Sequence, residues 1–94
     1  MPVLQQTISD RYKLLERLGM GGMGLVFLAE QLGIGNKVAI KVLDPEPTTD
    51  QSRIQRFLRE GEMALKVSHP GAAQLLDYGQ DKAGFLYLVF EYVE

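Results

Sequence analysis

The chain has 94 residues, 46% of them hydrophobic, and ten Lys plus Arg against twelve Asp plus Glu give a net charge of -2. This suffices for one small globular unit with a modest core, and it supplies no basic face dense enough for nucleic acid or an anionic membrane. Cysteine is absent, which excludes disulfides and thiolate metal sites and is compatible with the reducing cytoplasm, the expected location; no signal-like amino terminus and no bilayer-length apolar run is present.

Residues 1–10 carry no periodicity and are expected to form a flexible lead-in. Tyr12 to Leu18 mixes apolar and charged residues as an exposed strand does. Gly19, Gly21 and Gly24 then form the pattern G-x-G-x-x-G, with Val26 two residues on. Without Cβ atoms the backbone amides can approach anionic oxygens closely, so this stretch suits a phosphate cradle; alone, it suits a plain hairpin turn equally well. Leu25 to Gln31 is β-branched and aromatic at its start and is stopped by the turn cluster Gly33-Ile34-Gly35-Asn36, which makes it a hairpin partner. Lys37 to Leu43 is a third strand, in which Lys41 alternates to the face opposite Ile40 and Val42. A lysine placed there wants an anion.

Pro45 and Pro47 end that strand, and Thr48-Thr49-Asp50 supplies N-cap candidates for a helix beginning near Gln51. Ile54, Phe57, Leu58, Gly61, Ala64 and Leu65 fall on one stripe between Asp50 and Val67 that should face a core. Glu60 projects from the edge of that stripe towards the sheet, while Glu62 points to solvent. Ser68-His69-Pro70-Gly71 stops the helix, and His69, the only histidine, is assigned to organising that end rather than to chemistry. Two more strands follow, Ala72 to Tyr78 and Phe85 to Tyr92, joined by Gly79 to Gly84. The order βββαββ predicts an α+β fold with a five-stranded antiparallel twisted sheet and one helix.

A dinucleotide-binding unit would also use G-x-G-x-x-G, and Asp44 sits where its acidic residue belongs. Such a unit needs a continuous apolar parallel strand before the glycines, yet Lys13, Glu16 and Arg17 interrupt that stretch. It also needs a crossover helix, for which Gly33 and Gly35 leave too few residues.

Gly19-x-Gly21-x-x-Gly24-x-Val26, followed by Val38-Ala39-Ile40-Lys41 on a third strand, resembles the opening of a protein kinase domain. The wording Leu-Gly-Met-Gly-Gly-Met-Gly-Leu-Val-Phe is most similar to bacterial relatives of the eukaryotic Ser/Thr kinases. Arg59-Glu60 stands nine residues before His69-Pro70, and Tyr87-Leu88-Val89-Phe90-Glu91-Tyr92-Val93 resembles the family's approach to the hinge. On this resemblance residues 11–94 form the small amino-terminal lobe of a kinase domain, truncated at the hinge with the large lobe absent.

The resemblance implies roles residue by residue. Gly19, Met20, Gly21, Gly22, Met23 and Gly24 would form a loop over the ATP phosphates, and Lys41 would bind the α and β phosphates, oriented by an ion pair with Glu60. An ammonium among apolar side chains is costly unless paired, which gives that pair a physical motive as well. Leu18, Val26 and Ala39 would sandwich adenine, Phe90 would stand as gatekeeper, and the Glu91 carbonyl and Val93 amide would read the adenine edge. The catalytic Asp of a His-Arg-Asp loop, its companion Asn and the Asp of Asp-Phe-Gly do not occur, so no metal site is expected in this chain, and Mg²⁺ belongs with the complete enzyme. That enzyme would pass the γ-phosphoryl group of ATP to Ser/Thr hydroxyls of protein substrates engaged through the large lobe, and this chain alone should be inactive. The alternative is a non-catalytic binding or regulatory module of the same fold. Two departures from the family pattern are Gly61, which should weaken the helix by about 1 kcal/mol relative to alanine, and Gly71-Ala72-Ala73, which should loosen the fourth strand.

Overall fold

The computed structural model describes residues 4–20, 25–43, 51–66 and 74–92. Six strands and a helix follow in chain order: β1 (Thr7–Ile8), β2 (Tyr12–Met20), β3 (Leu25–Gln31), β4 (Lys37–Leu43), α1 (Gln51–Lys66), β5 (Leu75–Gln80) and β6 (Leu86–Glu91). They form one antiparallel sheet in the order β1-β2-β3-β4-β6-β5. The out-of-order pairing of β4 with β6 places the last hairpin beyond β4, with α1 between the two in sequence.

The sheet has a sixth strand where a loose lead-in was expected. Thr7 and Ile8 pair with Lys13 and Tyr12, and Ile8 is fully buried. Ser9 and Asp10 both take positive φ, 52° and 56°, and the Arg11 amide donates to the Ile8 carbonyl at 3.0 Å. Positive φ at both central residues is the type I′ pattern for the Ile8–Arg11 turn, usually signalled by Asn-Gly. Ser-Asp does not announce it, and two residues are too few to show a period.

Other boundaries shift for equally local reasons. β2 runs on through Gly19 and Met20, with a register shift between Arg17 and Gly19 that leaves Leu18 without a cross-strand partner. It is also less exposed than its charges imply, since Tyr12 and Leu14 are buried. Gly79 and Gln80 belong to β5, opposite Tyr87 and Leu86, so the last turn begins at Asp81 instead of Gly79. Asp81 fixes that turn: its carboxylate accepts the Ala83 amide at 2.7 Å, and its carbonyl accepts the Gly84 amide at 2.8 Å. Among the described residues the helix spans Gln51–Lys66. The proposed breakers and caps Pro45, Pro47 and Thr48-Thr49-Asp50, the stop Ser68-His69-Pro70-Gly71 and the stretch Gly71-Ala72-Ala73 lie outside the described residues.

Strand alternation sorts the apolar residues onto two faces. One face carries Leu14, Phe27, Ala29, Val38, Ile40, Val42, Tyr87 and Val89, which pack together with Ile8, Tyr12 and Phe85. The sheet curls over this core until its two ends meet. Tyr12 on β2 and Tyr87 on β6 approach with ring centroids 6.2 Å apart, the Tyr12 hydroxyl donates to Asp77 at 2.8 Å, and the Arg11 guanidinium bridges the Tyr87 hydroxyl at 2.9 Å and Asp77 at 3.1 Å. The opposite face carries Leu43 and Leu88, which with Phe57 and Leu75 make the second core under α1.

Candidate functional site

The face under α1 also gathers the candidate site residues. On β4, Lys41 lies opposite Val26 of β3 and Leu88 of β6, and Ala39 lies opposite Leu28 and Phe90. Residues directly opposite in an antiparallel pair share a face. Val26, Ala39, Lys41 and Phe90 therefore present one surface across three strands, each of them half-buried.

Helix α1 is seated on this surface by Phe57, which is fully buried among Leu43, Leu75 and Leu88, with Ile54 packed against the cluster. Gly61, one turn on from Phe57, is buried as well. Leu58 departs from the expected stripe and is 45% exposed. A rotation of about 100° per residue carries it off the line through 54, 57 and 61, and it borders a groove shared with Tyr78, Leu86 and Leu88.

That seating brings Glu60 to Lys41. The Lys41 Nζ donates to Glu60 Oε1 at 2.5 Å, with the lysine side chain 16% exposed and the glutamate 38% exposed. An ammonium this far withdrawn from water needs a counter-charge within hydrogen-bond reach, and Glu60 supplies it. The pair is only partly desolvated, and an ammonium has three donors, more than one bond to Glu60 uses.

The remaining candidates are distributed as follows. Gly19 lies opposite Val26 with φ of 153°, a conformation that a side chain would strain. Met20 lies opposite Leu25. Leu18 stands at the bulge, 43% exposed. Glu91 pairs with Val38, its amide donates to the Gln74 carbonyl at 2.9 Å, and its carboxylate accepts the Gln74 amide at 3.2 Å. Gly21, Gly22, Met23, Gly24 and Val93 lie outside the described residues. Leu88, which the sequence reading passed over, is central: it faces Lys41 across the β4–β6 ladder and touches α1. Its position two residues before Phe90 on one strand was the available signal.

An apolar face ending in a paired, half-buried ammonium fits a ligand with a flat apolar part and an anionic tail, which is the chemistry of a nucleoside polyphosphate. Among the described residues no group of three or more His, Asp or Glu is placed to hold a metal ion. No helix among them is long and apolar enough to cross a membrane.

Residues 12–94 match the protein kinase domain family. The chain belongs to that family. Among curated kinases it is 39% identical over 88 residues to the Ser/Thr-protein kinase pkn3 of Myxococcus xanthus, covering 94% of this chain and 16% of that protein. It is 38% identical over 92 residues to PrkC of Bacillus subtilis, covering 98% and 14%. With PknB of Mycobacterium tuberculosis it shares 43% identity over 90 residues, covering 93% and 14%. The solved kinase domain of Mycobacterium tuberculosis PknI superposes with a TM-score of 0.70 at 30% identity, covering 100% of this chain and 37% of that one. The chain thus spans about a sixth or less of the curated kinases named here, and its antiparallel sheet with one helix is consistent with the small-lobe architecture expected from its motifs. Kinase domains use ATP with Mg²⁺ and act on protein substrates.

Proposed function

We propose that this chain is the ATP-binding small lobe of a bacterial-type Ser/Thr protein kinase, whose complete form transfers the γ-phosphoryl group of ATP to protein Ser/Thr hydroxyls. The observation that carries the reading is the Lys41–Glu60 contact at 2.5 Å, set at the end of the apolar face formed by Val26, Ala39 and Phe90. In this reading Lys41 holds the α and β phosphates, and Glu60 fixes the direction of its ammonium. Val26 and Ala39, with Leu18 at the rim, pack on adenine, and Phe90 limits the depth of that pocket. The glycines from Gly19 to Gly24 lie over the phosphates, while the backbone of Glu91 and Val93 reads the adenine edge. ATP supplies the phosphoryl group, and the Mg²⁺ ligands and the catalytic Asp would be residues other than these, since no His-Arg-Asp or Asp-Phe-Gly occurs in the chain. The 94-residue chain should therefore bind ATP weakly and transfer nothing by itself.

Two measurements test this. Titration calorimetry of the chain with ATP should show binding weaker than the low-micromolar range. In the complete kinase Lys41→Met, which keeps the stem but removes the charge, should abolish phosphoryl transfer while leaving the fold intact. Retained transfer overturns the role of Lys41, and transfer by the purified 94-residue chain overturns the division of labour.

A further inference from the structure

β1 and β5 are the two outermost strands of the sheet, yet the turn that follows β1 and the turn that follows β5 share one side chain. The Asp81 carboxylate accepts the Ser9 amide on Oδ2 and the Ala83 amide on Oδ1 at 2.7 Å, so each oxygen serves a different turn. Ala83 lies two residues beyond Asp81 and closes the turn that Asp81 itself begins. Ser9 reaches it from 72 residues earlier in the chain.

The segment held in this way is short and set against its own preferences. Residues 5–10 precede the stretch that matches the kinase family. They pair with β2 at Thr7 and Ile8, through the Gln5 amide to the Leu14 carbonyl at 2.7 Å and through the Leu14 amide to the Gln6 carbonyl at 2.9 Å. Gln5, Ser9 and Asp10 take φ of 72°, 52° and 56°, in the left-handed region that residues other than glycine avoid, aspartate less than most. Against that cost stand the complete burial of Ile8 in the first core and the bond to Asp81. β4, by contrast, is paired on both sides from Val38 to Val42. Segments with few buried contacts open locally while doubly paired strands stay closed.

We infer that residues 5–10 form a strap that opens and closes as one unit over the first core, with the Asp81 carboxylate as its catch. While the catch holds, the strap joins the two edges of the curled sheet. When it releases, Ile8 leaves the core and the strap parts from the β5–β6 turn, but the rest of the sheet stays folded. The bonds of Tyr12 to Asp77 and of Arg11 to Tyr87 lie beyond the strap and keep β2 joined to the last hairpin.

Amide hydrogen exchange of the 94-residue chain in sub-denaturing urea tests this. The Gln5, Ser9 and Arg11 amides should share one protection factor, about tenfold or more below that of the Ile40 and Val42 amides. Their exchange should depend little on urea, because opening the strap exposes little surface. Asp81→Ala should keep the fold and speed all three strap amides together by about tenfold. Asp81→Asn offers one acceptor oxygen where the carboxylate offers two. The nearer Ala83 amide should keep that oxygen, so Ser9 should exchange about tenfold faster while Ala83 stays within about threefold of the wild type. Equal acceleration of Ser9 and Ala83 in Asp81→Asn would assign the carboxylate to the β5–β6 turn alone and overturn its role as catch. Strap amides that are unprotected, unequally protected or as urea-dependent as Ile40 overturn the inference, as does Ser9 exchange within about threefold of the wild type in both variants. Loss of the whole fold in both variants overturns it too, since the strap must open by itself. None of these measurements involves nucleotide, so their outcome is independent of the role proposed for Lys41.

Discussion

The Tyr12 hydroxyl donates to Asp77 Oδ2 at 2.8 Å across 65 residues of sequence, joining β2 to β5, two strands with β3, β4 and β6 between them in the sheet. This bond is a seam: it holds the curled sheet closed over its first core. β2 is the strand that ends at Gly19 and Met20, so the seam anchors the far end of the element that leads into the glycine run. Arg11 reinforces it from the solvent side by bonding both Tyr87 and Asp77.

The seam predicts an alkaline limb of stability. Burial, the hydrogen bond to Asp77 and the charge of Asp77 push the Tyr12 hydroxyl up to about 12 from an ordinary 10. A group whose folded pKa is raised stabilises fully below its unfolded pKa and loses that contribution as pH rises through the folded value. The melting temperature should therefore be insensitive to this group below pH 10 and fall between pH 10 and about 12. Tyr12→Phe should cost about 1–2 kcal/mol at neutral pH through loss of the hydrogen bond and should flatten that part of the alkaline limb. Thermal melts of both proteins across this range check the point, and parallel curves would assign the limb to other groups.

A second contact across the same seam separates a buried carboxylate from an exposed one. Asp81, 9% exposed, accepts the Ser9 amide as well as the Ala83 amide, and so ties the β1–β2 turn to the β5–β6 turn. Asp81→Ala should cost about 1.5–3 kcal/mol, the worth of hydrogen bonds to a charged acceptor, and should speed amide exchange at Ser9. Lys82 and Asp10 pair nearby at 2.9 Å but are 79% and 74% exposed, and water screens such a pair. Lys82→Ala should leave the melting temperature unchanged. Equal effects of the two substitutions would mean that the turn is held by surface charge.

How much of this was legible in the chain depended on whether a feature is local. Lys41 interrupts Val38-Ala39-Ile40-Lys41-Val42 at a position whose face alternation alone can assign, and Glu60 sits at the edge of a helical stripe, so both could be placed, with strand β4 and helix α1, from spacing. The β1 strand escaped because two residues carry no period and its turn uses Ser9 and Asp10 without glycine. The Tyr12–Asp77 seam escaped because no local pattern encodes a contact between strands four positions apart in the sheet. Gly61 was readable as a local cost to the helix, but the closeness of Leu88, on a strand 27 residues later, is invisible to helix propensity. Leu58 was misassigned because a stripe read from sequence is wider than the line of residues that a single sheet can seat.

That last distinction yields a test within one helix turn. Phe57 is fully buried at the centre of the second core, so Phe57→Ala should cost about 3–5 kcal/mol, a large share of the roughly 5–15 kcal/mol that holds a typical domain together. Leu58, half-exposed one residue later, should cost within about 0.5 kcal/mol when changed to alanine. Urea titrations of the two variants give both values directly. Because Phe57 seats the helix that presents Glu60, its loss should also free the Lys41–Glu60 pair. Leu58→Ala should leave the exchange of the Lys41 ammonium protons as it is in the wild type. Comparable costs for the two residues would place the core-facing line of α1 one residue further round than Phe57 and Gly61 mark it, and would move Glu60 away from the sheet with it.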